Sequence, residues 1–236
     1  MRQRYDLVYI FDEAIRPLDL PPPDLLCYHY RRWDRISHMG SQALNRIQYA
    51  LLYALREGSL GRRTLVRQTA ITEMTVRTHL EKLRALGLVA MAKGGTSLTP
   101  SGLEAFKSGL RRIAHVGPLP LAELALDHYN AAALVTQAKD ALKESWRFRD
   151  LAVRAGATGA LFLTRGPDYW HLSDDARPLN EKNPRDAQTI ESRYAARPDD
   201  GLVIVFSADK TRASLGLWEI LTTLIANESI ERSRSR

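Results

Sequence analysis

Residues 59–89, SLGRRTLVRQTAITEMTVRTHLEKLRALGLV, decide the fold of the N-terminal half of this chain. Apolar residues spaced three or four apart predict a short helix over residues 62–69 and a second helix over residues 72–86. The break at residues 70–72 has the length of the turn in a helix-turn-helix. We expect Thr72 to be the N-cap of the second helix, with its hydroxyl accepting a hydrogen bond from a first-turn amide. One face of that helix is predicted to be buried, and it carries Val76, Leu80, Leu83 and Leu86.

The flanking segments predict the rest of a winged helix. An amphipathic helix over residues 44–58 precedes the run, and LVAMAKGGTSLTP, residues 88–100, predicts a hairpin. We expect Gly94 and Gly95 to supply the positive φ of a tight turn beside Lys93. Thr99 and Pro100 are typical of the N-cap and first position of a further helix over residues 101–114. We therefore predict a winged helix-turn-helix domain over residues 41–114.

Most of the positive charge of the chain lies in this predicted domain. The formal net charge is +7, and residues 40–115 hold 12 basic and 4 acidic side chains, whereas residues 116–227 hold 13 and 15. A local surplus of this kind is typical of a segment that contacts a polyanion. We predict double-stranded DNA as the partner; a basic domain that binds only proteins is the alternative.

The predicted DNA contacts are the outward side chains of the two helices and of the hairpin. A recognition helix presents donors and methyl groups to base edges in the major groove, and a wing contacts phosphates or the minor groove. The predicted contact residues are Arg62, Arg63, Arg67, Thr72, Met74, Thr75, Arg77, Thr78, Lys82, Lys93 and Thr96.

Residues 121–227 predict a second, α+β domain. Their pattern is strand, helix, strand, strand, helix, strand, helix, which favours a small two-layer α/β sandwich of the split βαβ type with helices on one face of the sheet. The apolar run LVIVF at residues 202–206 predicts a central strand covered on both faces. We expect a linker at 115–120, a separate N-terminal arm at 1–40 and a disordered tail at 228–236.

Catalytic motifs are missing from the sequence. No GxSxG, HExxH or GxxxxGK[ST] pattern occurs. RAGATG at residues 154–159 lacks the lysine of a phosphate loop, so Gly156 is interpreted as a helix C-cap. His171, Asp174 and Asp175 offer only one imidazole and two loop carboxylates, which is a weak set of metal ligands. We expect no enzyme activity, no cofactor and no metal.

Two features of the sequence indicate the cellular compartment. The chain has a single cysteine, Cys27, and it lacks an apolar run of about 18 residues. One cysteine cannot form an intrachain disulfide, and the first 15 residues carry acids where a signal peptide would be apolar. We expect a cytoplasmic protein with no membrane partner.

Four segments together resemble a known family. They are residues 59–89, GGTSLTPSG at 94–102, GPLPL at 117–121 and WRFRDLAVRAGATGALFL at 146–163. They resemble an archaeal group that joins a winged helix to a C-terminal domain of unknown function, of the 4443 type, over roughly residues 40–210. The resemblance implies a GAD-like C-terminal domain, similar to one inserted in some tRNA-related enzymes, and a transcriptional role, with no catalytic residue.

Three functions follow from these features. The first is a transcriptional regulator whose C-terminal domain forms a homodimer or senses a small-molecule effector. The second is an RNA- or translation-associated adaptor with a basic winged helix. The third, an enzyme with a regulatory winged helix, requires a pocket with convergent polar groups in residues 128–226.

Overall fold

The computed structural model describes residues 44–175 and 177–234, with side chains as far as residue 227. The arm predicted at 1–40, with Cys27, lies outside the described residues. The N-terminal part consists of α1 (Arg46–Ala54), a 3-10 turn (Leu55–Glu57), α2 (Arg62–Thr69), α3 (Glu73–Ala85), the hairpin strands β1 (Val89–Ala92) and β2 (Gly95–Leu98), and α4 (Pro100–Leu110).

Reciprocal hydrogen bonds fix the start of α1. The Asn45 side chain accepts hydrogen bonds from the backbone amides of Ile47 and Gln48, and the Asn45 amide donates to the Gln48 side chain at 2.9 Å. This capping box satisfies amides that have no partner within the helix. At α4, the Thr99 hydroxyl accepts a hydrogen bond from the Gly102 amide and Pro100 is the first helical residue, so the predicted helix start is confirmed.

The hairpin turns through two residues, Lys93 and Gly94, because Ala92 pairs with Gly95. Gly95 has a φ of 132°, but Gly94 does not have a positive φ, so the prediction for that glycine was wrong. Leu60 pairs with Thr96 through two backbone hydrogen bonds of 2.9 Å and so forms an isolated bridge at the edge of the hairpin. A Cβ on Gly95 would lie 2.8 Å from the Leu60 carbonyl, so only glycine allows this approach.

The C-terminal part is built on a five-stranded antiparallel sheet. Its elements are β3 (Ile113–Gly117), β4 (Tyr129–Val135), α5 (Ser145–Arg154), β5 (Gly159–Arg165), β6 (Trp170–Leu172), α6 (Leu179–Lys182), α7 (Pro184–Arg193), β7 (Gly201–Ser207) and α8 (Lys210–Arg234). The strand order is β3-β4-β7-β5-β6. Because β7 is antiparallel to both β4 and β5, these two strands are parallel to each other and are joined by α5, which is the predicted split βαβ unit.

Helices cover both faces of this sheet, so the predicted two-layer arrangement was wrong although the α+β class is confirmed. Alternate residues of β7 point to opposite faces. Val203 and Val205 pack in one core with α5 and α8, while Ile204 and Phe206 pack in a second core with α6 and α7. All seven residues of β7 are buried, as expected for a central strand that is covered twice.

The two parts of the chain share one core. Buried residues of α1, α2 and α3 belong to the same apolar cluster as those of β4, β7 and α8. The predicted linker at 115–120 begins inside β3, which pairs with β4 through residue 117, and α4 ends at Leu110 instead of reaching residue 114. The helix α8 extends through Arg234, which corrects the tail expected at 228–236.

None of the helices at 44–175 and 177–234 combines the length and apolar character that a membrane crossing requires.

Candidate nucleic-acid interface

The turn between α2 and α3 is held by local hydrogen bonds and a buried anchor. The Thr69 hydroxyl donates to the Leu65 carbonyl at 2.7 Å and accepts from the Ile71 amide at 3.3 Å. Ala70 adopts a left-handed conformation with a φ of 56°, and Ile71 is 2% exposed. This sharp reversal with a buried side chain at its centre sets the direction in which α3 leaves α2.

Thr72 is the N-cap of α3 by its backbone, with φ −62° and ψ 150°, but its side chain does not cap the helix. Its hydroxyl is hydrogen-bonded to that of Thr75 at 2.8 Å, so the predicted bond to a first-turn amide was wrong. Two hydroxyls on the surface thus pair with each other and leave the first-turn amides of α3 without a side-chain acceptor. A helix start of this kind can bind an anion such as a phosphate oxygen.

The helix α3 buries one stripe and exposes the opposite one. Val76, Leu80 and Leu83 are buried in the shared core, as predicted. Leu86, which was expected on the same stripe, is 38% exposed because α3 ends at Ala85 and the chain turns at Gly87. Opposite the buried stripe, Met74 is 74% exposed, so neither α8 nor the sheet covers the outward face.

Nearly all of the predicted contact residues lie on the surface. The exposed ones are Arg62, Arg63, Arg67, Thr72, Met74, Arg77, Thr78, Lys82 and Lys93. Thr75 is half-buried, and Thr96 is only 6% exposed. Thr96 pairs with Leu60 on one side and with Met91 of β1 on the other, and its side chain is buried. It therefore cannot contact DNA as predicted.

Ion pairs separate the cations of this surface into two groups. Arg62 lies 3.8 Å from Glu73 and Arg84 lies 3.1 Å from Glu81. A second group has no carboxylate within 4 Å among the described residues; it consists of Arg63, Arg67, Arg77, Lys82 and Lys93. Cations without a protein partner are available to phosphates, and we name these five the unpaired cations.

His79, on the flank of α3, was not singled out by its sequence pattern. Burial lowers the pKa of its imidazole, and the Lys82 ammonium lowers it further. The neutral form is therefore favoured near neutral pH, and the ring adds no full charge to the surface. Its Nδ1 is buried and has no hydrogen-bond partner among the described residues. The sequence offers no motif that would select His79, because only its position at the edge between the buried and exposed stripes distinguishes it.

Three long-range contacts attach α1 and α2 to α8. The Ser214 hydroxyl donates to the Thr69 carbonyl at 2.6 Å, and the Arg46 guanidinium lies 2.7 Å from the Glu219 carboxylate. Tyr53 of α1 packs its ring 5.6 Å from that of Trp218. No spacing rule could have indicated these pairs, because their partners are more than 140 residues apart.

Of the three residues considered as metal ligands, His171, Asp174 and Asp175, the two carboxylates form ion pairs. Asp174 accepts from the Ser145 hydroxyl at 2.6 Å and from Arg149 at 3.2 Å. Asp175 pairs with Arg177 and Lys182. No group of three or more His, Cys, Asp or Glu side chains is arranged to hold a metal in the part of the chain that the structure describes.

Family models match both parts of the chain. Residues 46–112 match the CggR N-terminal DNA binding domain, and residues 126–224 match a domain of unknown function, DUF4443. No curated protein matches the chain.

A solved structure with a similar fold comes from an archaeon. A hypothetical protein of Pyrococcus horikoshii OT3, PH0730, is 24% identical with a TM-score of 0.60, over 78% of this chain and 94% of that one. At this identity the likeness shows the fold alone. Bordetella bronchiseptica BpsR, from a structure on regulation of its DNA binding by 6-hydroxynicotinic acid, is 27% identical over 39% of this chain and 76% of its own. Its TM-score is 0.26.

These matches confirm the resemblance drawn from the sequence. Residues 46–112 thus resemble a DNA-binding domain of the CggR N-terminal type, and residues 126–224 resemble the DUF4443 domain.

Proposed function

We propose that this protein is a transcriptional regulator that binds double-stranded DNA as a winged helix, with α3 in the major groove and the hairpin on the neighbouring backbone. The observation that carries this proposal is the exposed face of α3 and the unpaired cations around it. A recognition helix needs such a face free of protein contacts and wide enough to enter the groove.

The chemistry of this surface suits both parts of DNA recognition. Arg77 and Lys82 extend from α3, and an arginine can form two hydrogen bonds with guanine. Met74 and the Thr78 methyl offer apolar contacts of the kind that thymine methyl groups accept. Arg63 and Arg67 on α2, with Lys93 at the hairpin tip, lie on separate elements and suit phosphates, which position a protein without specifying sequence.

The C-terminal domain is proposed to sense an effector or to form a homodimer. Its rigid attachment to the DNA-binding domain through the shared core supports this role, since a change in the sheet domain would reach the turn before α3. A homodimer would place two recognition helices on two half-sites. The protein is proposed to have no enzyme activity, and a cytoplasmic location stays a prediction.

The test is equilibrium binding of the full chain to DNA found by genome-wide mapping of its bound sites. We expect a bound 30-base-pair duplex, chosen to hold two half-sites, to be preferred over a shuffled duplex by at least about 1000-fold at equal salt. Structured RNA serves as the competitor. Displacement of the duplex by RNA at equal salt, with no preference among DNA sequences, would contradict the proposal and favour an RNA-associated adaptor.

A further inference from the structure

His79 lies in a row of side chains along one side of α3. Thr75, His79 and Lys82 are four and three positions apart, the spacing at which residues of a helix are neighbours on its surface. The row is about 10 Å long, since an α-helix rises about 1.5 Å per residue. Lys82, at the C-terminal end of the row, is one of the unpaired cations. We name these three residues the His79 row.

The acidic residues of α3 lie on the other side of the helix. Glu73 and Glu81 are the two acids of α3, and they lie about 240° and 200° around the helix axis from His79 at about 100° per residue. Glu73 is 3.8 Å from Arg62, and Glu81 is 3.1 Å from Arg84. The His79 row therefore has no carboxylate of its own helix beside it, and an anion meets less repulsion on this side than on the opposite one.

The imidazole of His79 has one buried and one accessible nitrogen. Nδ1 is buried, whereas Nε2 reaches the surface and makes no hydrogen bond among the described residues. We expect the neutral ring to carry its proton on Nε2, where water accepts it, because a proton on Nδ1 would have no acceptor. The ring thus presents a free N–H donor next to the exposed face of α3.

Protonation of this ring is opposed by its surroundings in the free protein. Burial lowers the pKa of His79, and the Lys82 ammonium lowers it further. Among the described residues, no carboxylate of α1, α2 or the hairpin lies within 4 Å of the ring to offset these effects. A phosphate oxygen at Nε2 would supply a negative charge and raise the pKa, since an opposite charge nearby favours the protonated form.

We propose that His79 contacts a phosphate of the bound DNA through Nε2 and takes up one proton from the solvent as the contact forms. The side of a recognition helix lies against a wall of the major groove, where the phosphates are, whereas the middle of its exposed face meets the base edges. Lys82 contacts the same phosphate strand from the end of the His79 row. DNA binding is therefore coupled to pH through one side chain, and this inference rests on the proposed function.

The direction of the coupling follows from the change in pKa. The free protein holds the pKa of His79 below its ordinary value of 6.5, and the phosphate raises it in the complex. The complex then binds a proton more readily than the free protein does. DNA affinity should therefore increase as the pH falls from the pKa of the complex toward that of the free protein.

The first experiment measures the ionisation of His79 in the full chain labelled with ¹⁵N at its six histidines. The His79 ring signal is assigned by its loss in His79→Gln. We expect a pKa below about 6.5 without DNA and a pKa higher by about 0.5 or more with a saturating amount of the preferred duplex. A pKa that DNA leaves unchanged would overturn the inference.

The second experiment compares DNA affinities, because His79→Gln keeps an N–H donor near the position of Nε2 but does not titrate. Between about pH 8 and pH 5.5 the affinity of the wild type should rise about threefold or more relative to the variant, and at pH 8 the two should agree within about twofold. Circular dichroism at each pH checks that both proteins are folded.

His128→Gln is the matched control, since His128 is exposed and precedes β4 in the C-terminal part of the chain. This variant should keep the pH dependence of the wild type. The same pH dependence in His79→Gln and in the wild type would overturn the inference.

The dependence on salt and sequence identifies the group that the imidazole contacts. For a phosphate, the plot of log affinity against log salt should be steeper at low pH by up to about 0.9, the value for one contact. The gain in affinity at low pH should also be equal for the preferred and the shuffled duplex, because phosphates carry no sequence information. A gain confined to the preferred duplex would place the ring on a base and overturn the phosphate contact.

Failure of the proposed function gives a different result. A protein that binds no duplex at any pH contradicts the proposed function and this inference with it. Tight duplex binding whose pH dependence does not involve His79 overturns the inference alone.

Discussion

The Ser214 hydroxyl donates a 2.6 Å hydrogen bond to the Thr69 carbonyl, and both residues are buried. Thr69 is the last residue of α2 and precedes the turn to α3, and Ser214 lies in the first part of α8. The bond ties the turn of the DNA-binding domain to the helix that covers the sheet. Movement of α8 would therefore displace the start of α3.

Ser214→Ala should lower the free energy of unfolding by about 1–3 kcal/mol, because it leaves the buried Thr69 carbonyl without this donor. Urea denaturation followed by circular dichroism measures the change. Ser192→Ala is the matched control, since Ser192 is exposed on α7 and bonds only to a carbonyl of its own helix. An equal loss in both variants would show that the 2.6 Å contact contributes nothing of its own.

Arg77→Ala should weaken binding to the preferred duplex by about 1–3 kcal/mol if the guanidinium contacts a base, and should reduce the preference over shuffled DNA. Fluorescence anisotropy at constant salt gives both quantities. Lys107→Ala removes an exposed cation of α4 that already pairs with Glu104 at 3.6 Å, and it should have little effect. Unchanged affinity in the Arg77 variant would remove it from the interface.

Lys93→Ala should weaken binding to all duplexes alike, because a lysine at the tip of a hairpin reaches phosphates and not base edges. The plot of log affinity against log salt should lose about 0.9 of its slope, the value for one phosphate contact. An unaltered slope would mean that the hairpin does not contact the DNA backbone.

Gly95→Ala should destabilise the protein by about 2 kcal/mol or more. The added Cβ meets the Leu60 carbonyl at 2.8 Å, and a φ of 132° is strained for any residue with a side chain. Gly94→Ala is the adjacent control, because nothing lies within 4 Å of its position and its φ is not positive, so its effect should stay near 0.5 kcal/mol. Thermal unfolding compares the pair; equal melting temperatures would contradict the close approach.

Stability should fall as the pH drops below about 6.5, in part through His115. Burial lowers the pKa of this imidazole, and the charges of Arg193 and Arg56 lower it further. The unfolded chain then binds a proton more readily than the folded one, so the unfolding free energy decreases as the pH falls from the unfolded value toward the folded one. Urea titrations at several pH values should give a smaller decrease for His115→Asn, with His79 contributing to the remainder; identical pH profiles would refute this assignment.

The helices of the DNA-binding domain could be predicted because their signals are local. Val76, Leu80 and Leu83 repeat at the helical period, and Thr99 with Pro100 marks a helix start whatever lies elsewhere in the chain. The exposed face of α3 followed directly from that buried stripe. Local signals wrongly predicted the N-cap hydrogen bond of Thr72, because the Thr75 hydroxyl competes with the backbone amides for its side chain. They also wrongly predicted an exposed Thr96, because pairing with Leu60 turns that side chain inward.

The C-terminal sheet shows more clearly what local sequence signals cannot predict. The uninterrupted apolar run of β7 indicated a doubly covered strand, but the second covering layer, α6 with α7, was not placed there by any periodicity. Residues 115–117 of β3 were predicted as linker because neighbouring proline and glycine suggested a break, and residues 113 and 114 were predicted as the end of a helix. Only pairing with β4 makes this segment a strand of the sheet.

The amino-acid sequence alone determined the elements other than β3 and α6, their order, the split βαβ connection and the unpaired cations of the DNA-binding half, because each depends on residues within a few turns or strands of one another. Tertiary structure alone decided that one core joins the two halves and that Ser214 reaches Thr69 across 145 residues. Contacts between distant segments depend on how complementary surfaces pack in three dimensions, and spacing along the chain carries no measure of that fit.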